Sequence, residues 1–551
     1  MGEKMKQGSN RRLANVKTRT ETGFDYVKSM MDLNTPFGKT QLKEAAPYFP
    51  GEEEELRQEL DRIQYMVEFV RADGRLVGKL QETFMMMKDI SFSLARSQKD
   101  TLSVVELFEV KSLLLEMRQV STLCAGSEKP VPEEYILEDT TDILDELDPR
   151  KDRLNTFYIY DDFSETLAQL RKRKHACEVA IRKAQKKRKE QIRQEYGIVL
   201  TPKFDVIIPK NGPELEKARE IEDLEQIGED YNSVTFELQK TEAVYEHAKE
   251  MDEVIALIED EELRIRGILS KKVAAASEKM MRNCDRIGAL DLALAKAIYA
   301  DKHHCVRPEI CEEHVIEFEN GRNLQVEDIL HSKGKEYCPV SLKLADGVTC
   351  ITGANMGGKT VSLKLAGMIP ILAQYGFFVP ADNARIGLSN YMQILIGDSQ
   401  SVERGLSSFG SEMEELKEII DRSQDRSLFL IDEIASGTNP VEGLALTKSI
   451  IDFLKGKTFI TLMTTHFDAV TEEKDVVNMQ VRGLADANFR KLDSELHLAN
   501  RRERINIISK YMDYRLYTVT ENREIPKDAL NIAKMLGLND EIIEGAKKYL
   551  K

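Results

Sequence analysis

Residues 348–360 read Val348-Thr349-Cys350-Ile351-Thr352-Gly353-Ala354-Asn355-Met356-Gly357-Gly358-Lys359-Thr360. A short apolar, β-branched run enters a glycine-rich loop, and Val361 to Ile369 continue with helical character. Strand, loop and helix in that order are the setting that G-x-x-x-x-G-K-[ST] requires. Loop residues Gly353, Asn355, Gly357 and Gly358 are expected to cradle phosphates. The glycines let backbone N–H groups turn inward, and the helix N-terminus adds positive potential. Lys359 is expected on the β/γ-phosphates, and the Thr360 hydroxyl on Mg²⁺. The implied ligands are a nucleoside triphosphate and Mg²⁺.

Downstream stretches supply the groups such a loop lacks. Ser427 to Ile431 form an apolar run that ends in Asp432-Glu433, about 70 residues after Thr360. At the carboxyl end of a parallel strand this pair faces the ligand crevice. Asp432 would then hold Mg²⁺ through water, and Glu433 would polarise the attacking water. Phe459 to Thr465 run into His466, which can sense a γ-phosphate or position water. Between them, Gly405-Leu406-Ser407-Ser408-Phe409-Gly410-Ser411-Glu412 places a serine pair just before an expected helix, 411–421. Read alone, that pair is an N-cap that could face an anion. Ser436 to Gly443 form a turn that enters a helix over 441–454.

Short apolar runs at 348–352, 393–397, 427–432 and 458–464 alternate with helices and glycine-rich loops, which predicts a mostly parallel sheet. The chain before Pro308 reads differently. Residues 51–129 lack proline and have helical apolar spacing, as in Leu56, Leu60, Ile63, Met66, Val67 and Val70. Segment 130–149 holds three prolines and eight acids without Lys or Arg, and reads as a short amphipathic piece between linkers. Ser164 and Gly197 bracket a long polar helix over 164–196. Strands are expected at 198–208 and 232–238 around an acidic insert, followed by a helix over 240–303. The resulting layout is a frayed basic tail (1–20), a helical lever region (21–150), a helical arm with a β tip near 197–239 (151–304), an α/β domain (305–525) and a closing helix–turn–helix (526–551).

Taken together, these motifs resemble the ATPase core of the MutS family. TGANMGGKT with VSLKLAGMIPILAQYGFFVPA resembles its P-loop and first helix. GDSQSVERGLSSFGSEM resembles its Gln-containing loop, here Gln400, and its signature segment. LFLIDEIASGTNPVEGLAL, TTHF and the tail IPKDALNIAKMLGLNDEIIEGAKKYLK resemble the family's Walker B strand, switch histidine and closing dimerisation element. DLALAKA with VRPEI resembles the junction between lever and ATPase. The details sit nearer the second, repair-independent MutS class. The resemblance implies a multidomain α and α/β fold with an ABC-type ATPase, which converts ATP and water to ADP and phosphate. It also implies a homodimer with two composite sites. Lys359, Thr360, Asp432, Glu433 and His466 would act in cis, while Ser407 and Ser408 would reach the partner's nucleotide. Departures include Ala354 for the usual proline, Asn439 for the usual acid and Gly321-Arg322-Asn323-Leu324 for GRHP. Neither the mismatch-reading domain nor the small nuclease domain of many second-class members is expected in this chain. Phe163-Ser164-Glu165 enters the arm helix and is read as a chance triplet.

The chain has 551 residues and a net charge of −16, so any basic surface must be local. Residues 171–195 carry eleven basic residues against three acidic ones, a net +8, densest at Lys186-Lys187-Arg188-Lys189. This suits phosphate contacts, or else a solvated helix paired with acidic neighbours. The tip, 197–239, has four basic and ten acidic residues, and a phosphate backbone would repel it. Two readings of the clamped ligand follow. DNA in branched or irregular form is the first, with DNA repair as its setting. A protein client is the second, since some MutS-like proteins resemble reactivating factors for cobalamin-dependent aminomutases. A dimer that uses ATP only as a latch is a plainer third. Seven scattered cysteines, no ~20-residue apolar run and no apolar leader at the N-terminus lead to an expectation of a cytoplasmic protein without membrane contact.

Overall fold

The computed structural model of the chain describes residues 11–551 except 240–241, 354–357, 398–407, 468–469, 471–474, 485–487, 499–503, 505–506, 509, 520–527 and 550–551. It divides into two compact units, Glu82–Ile287 and Met1–Gln81 with Gly288–Lys551. The lever region expected over 21–150 therefore splits between them. The helix Glu53–Ala72 belongs with the second unit, where it buries Leu56, Leu60, Ile63, Met66, Val67 and Phe69. Within that unit Arg57 donates to the Ile310 carbonyl, and Glu59 pairs with Lys296 at 3.0 Å. Local spacing identified the helix, but only these distant partners assign it to a unit.

In the first unit, Ser103 and Glu106 form a reciprocal capping box that starts the helix Val104–Ala125. The acidic segment is an ordered short helix, Thr141–Leu147, that buries Ile143, Leu144 and Leu147. Its acids pair along the helix Glu242–Lys302: Glu138 with Arg282, Asp142 with Lys279 and Glu146 with Lys272. Lys111 and Asp148 make a fully buried ion pair at 3.2 Å, and Lys111 also donates to the Thr156 carbonyl. Burial works to raise the Asp148 carboxyl, but the Arg153 N–H and the Lys111 ammonium outweigh it and hold the group below its ordinary value. Lys111→Met removes one of the two cations on Asp148 and leaves Arg153 at 3.3 Å, and we expect a loss of about 2 kcal/mol by denaturant unfolding. A carboxyl depressed on folding stabilises above its unfolded pKa. That contribution should therefore be lost as pH falls below about 4, through the lower folded value.

Ser164 caps the arm helix Glu165–Tyr196 through the Leu167 N–H, and Gly197 ends it at φ +73°. The tip is a three-stranded antiparallel sheet. Its strands are β1 (Asp205–Pro209), β2 (Leu224–Glu229) and β3 (Ser233–Leu238), in the order β1-β3-β2. The strand expected from 198 begins only at 205, because Phe204 at φ +65° turns the chain. The unforeseen β2 lies within the acidic insert and has few apolar residues.

Among the described residues, the second unit holds ten further strands. They are β4 (Glu309–Cys311), β5 (Val315–Gly321), β6 (Val340–Ala345), β7 (Gly347–Thr352), β8 (Asn383–Gly387), β9 (Tyr391–Ile396), β10 (Ser427–Asp432), β11 (Phe459–Thr464), β12 (Val476–Gly483) and β13 (Asp513–Thr518). One sheet runs β13-β12-β7-β11-β10-β9, parallel except at β13. A second, β4-β8-β5-β6, is mixed. The helices Lys359–Gln374, Ser408–Asp421 and Pro440–Lys455 accompany the parallel sheet. Val348, Cys350, Leu395, Phe429, Ile431, Ile451 and Met463 form its core. Two short helices, Asp528–Met535 and Asp540–Tyr549, close the described chain, separated at Gly537 with φ +90°.

The expectation of a frayed tail over 1–20 is corrected from residue 13 onward. Leu13 bridges to β9 through the Met392 N–H, and the Ile394 N–H donates to the Thr18 hydroxyl. The helix Val16–Thr22 then lies so close to the P-loop helix that a Cβ on Gly367 would fall 2.5 Å from Thr22. Lys17 pairs with Glu415 and Glu21 with Lys364, both at 2.8 Å. Leu13, Ala14, Thr18 and Thr22 are buried. They make a narrow face that a count of basic residues does not reveal.

Candidate active site

The parallel sheet brings the expected groups together. Strand order β7-β11-β10 puts β11 between the P-loop strand and the acidic strand, with Asp432 opposite Thr464 and Thr464 opposite Ile351. All three strands end at the same edge, where ligand crevices of open α/β sheets lie. Gly353 and Gly358 take φ +122° and +75°, and Gly358 begins the helix Lys359–Gln374. A side chain at Gly358 would meet the Tyr514 ring at 3.2 Å, so the position favours glycine twice over.

Lys359 Nζ lies 3.0 Å from the Gly353 carbonyl, 3.3 Å from Glu433 Oε1 and 3.4 Å from His466 Nδ1. His466 Nε2 lies 2.7 Å from the same Glu433 oxygen. The Thr360 hydroxyl donates to Asp432 Oδ2 at 2.9 Å. A hydroxyl beside a carboxylate is a hard oxygen donor set that fits Mg²⁺, which takes one or two protein ligands plus phosphate and water. The described residues contain no cluster of three or more His, Cys, Asp or Glu side chains able to hold a metal ion on their own.

Two residues of this site escaped the sequence reading. Thr464 donates its hydroxyl to Asp432 Oδ1 at 2.5 Å and accepts the Glu433 N–H at 3.0 Å. Glu412 accepts the Ala435 N–H on both carboxylate oxygens, each at 3.2 Å. Between them the chain turns sharply, with Glu433 at φ +50° and Ala435 at φ +59°. Left-handed non-glycine residues cost on the order of 1–3 kcal/mol each, so the surroundings must hold this turn. Of the other expected site residues, Asn355, Gly357, Gln400 and Ser407 lie outside the described residues. Ser408 begins the helix Ser408–Asp421, three residues earlier than expected.

Residues 349–551 match the family model described as MutS domain V. Over that stretch the chain is similar to the MutS family. It is similar to a protein named Endonuclease MutS2 from Clostridium botulinum (strain ATCC 19397 / Type A), at 33% identity over 290 residues, 52% of this chain and 33% of that protein. The protein of the same name from Carboxydothermus hydrogenoformans is 34% identical over 285 residues, 51% of this chain and 33% of its own length. The one from Streptococcus pneumoniae (strain Taiwan19F-14) is 27% identical over 545 residues, 96% of this chain and 64% of its own length. The chain thus spans less than two thirds of the curated relatives it matches.

The arm divides its charges in two. Arg171 pairs with Glu262, Arg173 with Glu250 and Arg188 with Asp223, all within 2.8 Å. Lys189 donates to the Thr201 carbonyl and sits over the Phe204 ring. Arg188 and Lys189, half of the densest basic run, are therefore committed inside the unit. Lys172, Arg182, Lys183, Lys186 and Lys187 are exposed and, among the described residues, form no ion pair. At 3.6 residues per turn they fall, with Arg193, on one face about 140° wide.

The described residues include no helix long and apolar enough to cross a membrane, and all seven cysteines are free.

Proposed function

We propose that the chain is a MutS-type ATPase that binds DNA without reading bases and couples that binding to ATP turnover in a homodimer. The observation that carries the reading is the meeting of Lys359, Thr360, Asp432, Glu433 and His466 at one sheet edge. The P-loop N–H groups and Lys359 would bind the triphosphate. Lys359 would exchange its contacts with Glu433 and His466 for phosphate oxygens. Glu433 would then be free to accept a proton from the attacking water, with His466 orienting that water or the γ-phosphate. Thr360 and Asp432 would hold Mg²⁺, which would supply charge neutralisation for the phosphates.

Ser407 and Ser408 complete the site of the partner copy in this account, and the closing helices within 526–551 join the two copies. Lys172, Arg182, Lys183, Lys186 and Lys187 on the exposed face of the arm supply the DNA contacts. A reducing, cytoplasmic setting suits the free thiols.

Complementation tests the composite site. Lys359→Ala and Ser407→Ala homodimers should each be inactive. Mixed, they should recover hydrolysis, because each heterodimer keeps one site with an intact lysine and an intact serine. A strictly monomeric protein with full activity, or a mixture that stays inactive despite exchanging subunits, contradicts the dimeric reading.

One observation favours the second reading, a protein client such as a cobalamin-dependent aminomutase. Asp205, Glu237 and Glu225 stand side by side across β1, β3 and β2, and Ile207 and Ile227 are exposed nearby. Like charges directly opposite one another destabilise a sheet. A basic protein surface would relieve that row, whereas a nucleic acid would aggravate it.

A further inference from the structure

We propose that Glu412 is a positioning residue that fixes Glu433 for hydrolysis and links it to the helix carrying Ser408. The proposal rests on the ATPase reading above and goes beyond it. Both Glu412 oxygens accept the Ala435 N–H at 3.2 Å. Ala435 is the second of two left-handed residues in the turn that aims Glu433. Thr464 holds the other end of the turn through the Glu433 N–H. Behind the turn, a Cβ on Gly443 would lie 2.8 Å from the Ala435 carbonyl, so the peptide is hemmed in on its far side. The Ile434 and Ala435 side chains are buried, at 2% and 0% exposure. The Ala435 N–H thus needs a partner from the protein, and Glu412 is that partner. Burial raises the Glu412 carboxyl above its ordinary value, while the Ala435 N–H opposes that rise.

Glu412 lies one helical turn beyond Ser408 on Ser408–Asp421. Any displacement of this helix as the serine pair meets a phosphate would be carried by Glu412 to Ala435 and so to Glu433. One nucleotide would in this way adjust the water-polarising carboxylate of the other site. Glu412 itself touches no reacting atom in this scheme, so its loss should slow turnover without loosening nucleotide.

Matched variants of the full chain test this. Gln keeps an oxygen acceptor at the same reach. Met keeps the length and removes the acceptor. Asp withdraws the acceptor by one methylene with the smallest change in packing. Glu412→Met and Glu412→Asp should lower kcat about 10-fold, as a misplaced catalytic group does. Glu412→Gln should stay within about threefold of the wild type, and the Kd for a fluorescent ATP analogue should change less than about twofold in all three. If Glu412→Met and Glu412→Asp keep the wild-type kcat, if Kd weakens in step with kcat, or if Glu412→Gln is as slow as Glu412→Met, the positioning role is overturned. Thermal melts exclude a variant that fails to fold, and the Asp variant then carries the test. Absence of hydrolysis in the wild type, measured beside Lys359→Ala, would instead overturn the ATPase reading itself.

Discussion

Glu433→Gln should bind ATP and fail to turn it over, with kcat lower by at least about 100-fold, the smallest effect usual for a lost general base. Geometry sets the direction. Glu433 holds Lys359 at 3.3 Å and His466 at 2.7 Å, so the amide removes a charge facing both. It leaves Thr360, Asp432 and the P-loop glycines in place, and nucleotide affinity should therefore survive. The substitution also frees Lys359 from an ion pair that competes with phosphate, so the Kd for ATP should stay level or tighten. Rapid-quench hydrolysis beside equilibrium binding of a fluorescent analogue separates the two effects. Hydrolysis at the wild-type rate would remove Glu433 from the water-polarising role.

The same contacts show what the sequence could and could not reveal. The strands before the P-loop, the acidic pair and the histidine were legible because each is short, apolar and ends at a candidate site residue or loop. The arm helix was legible at both ends, since Ser164 and Gly197 cap it by local bonds. Thr464 was hidden because a threonine inside the run FITLMT reads as strand propensity. Only the register places it opposite Asp432. Glu412 was hidden because its partner is a backbone N–H 23 residues away. The docking of Leu13 to Thr22 was hidden for a related reason. Its binding face is two apolar residues and two threonines, too short a signal among basic neighbours. The division at residue 82 follows from long-range packing of Glu53–Ala72, which helical periodicity does not encode.

Changing Arg182, Lys183, Lys186 and Lys187 to Glu should weaken DNA binding by orders of magnitude while sparing ATP hydrolysis. These four are exposed, lack ion-pair partners among the described residues and share one helix face with Lys172. Arg188 and Lys189 are left untouched, because Asp223, Thr201 and Phe204 already use them and their loss would disturb the tip. Phosphate contacts carry no base information, so the weakening should be about equal across sequences. The salt dependence should flatten as well, by roughly one unit of slope for each cation that met a phosphate.

The central claim is that this chain couples nucleotide to DNA held by charge. Its most direct test is fluorescence anisotropy of duplex, junction and single-stranded DNA from about 50 to about 200 mM salt, with and without ATP, on the wild type and the four-residue variant. The account predicts that log affinity falls linearly with log salt at about 0.9 per phosphate neutralised, that ATP shifts the affinity, and that the variant loses most of both affinity and slope. Absence of binding at the low-salt end, or an affinity indifferent to ATP, would contradict it, and the acidic tip would then direct the search to a basic protein client.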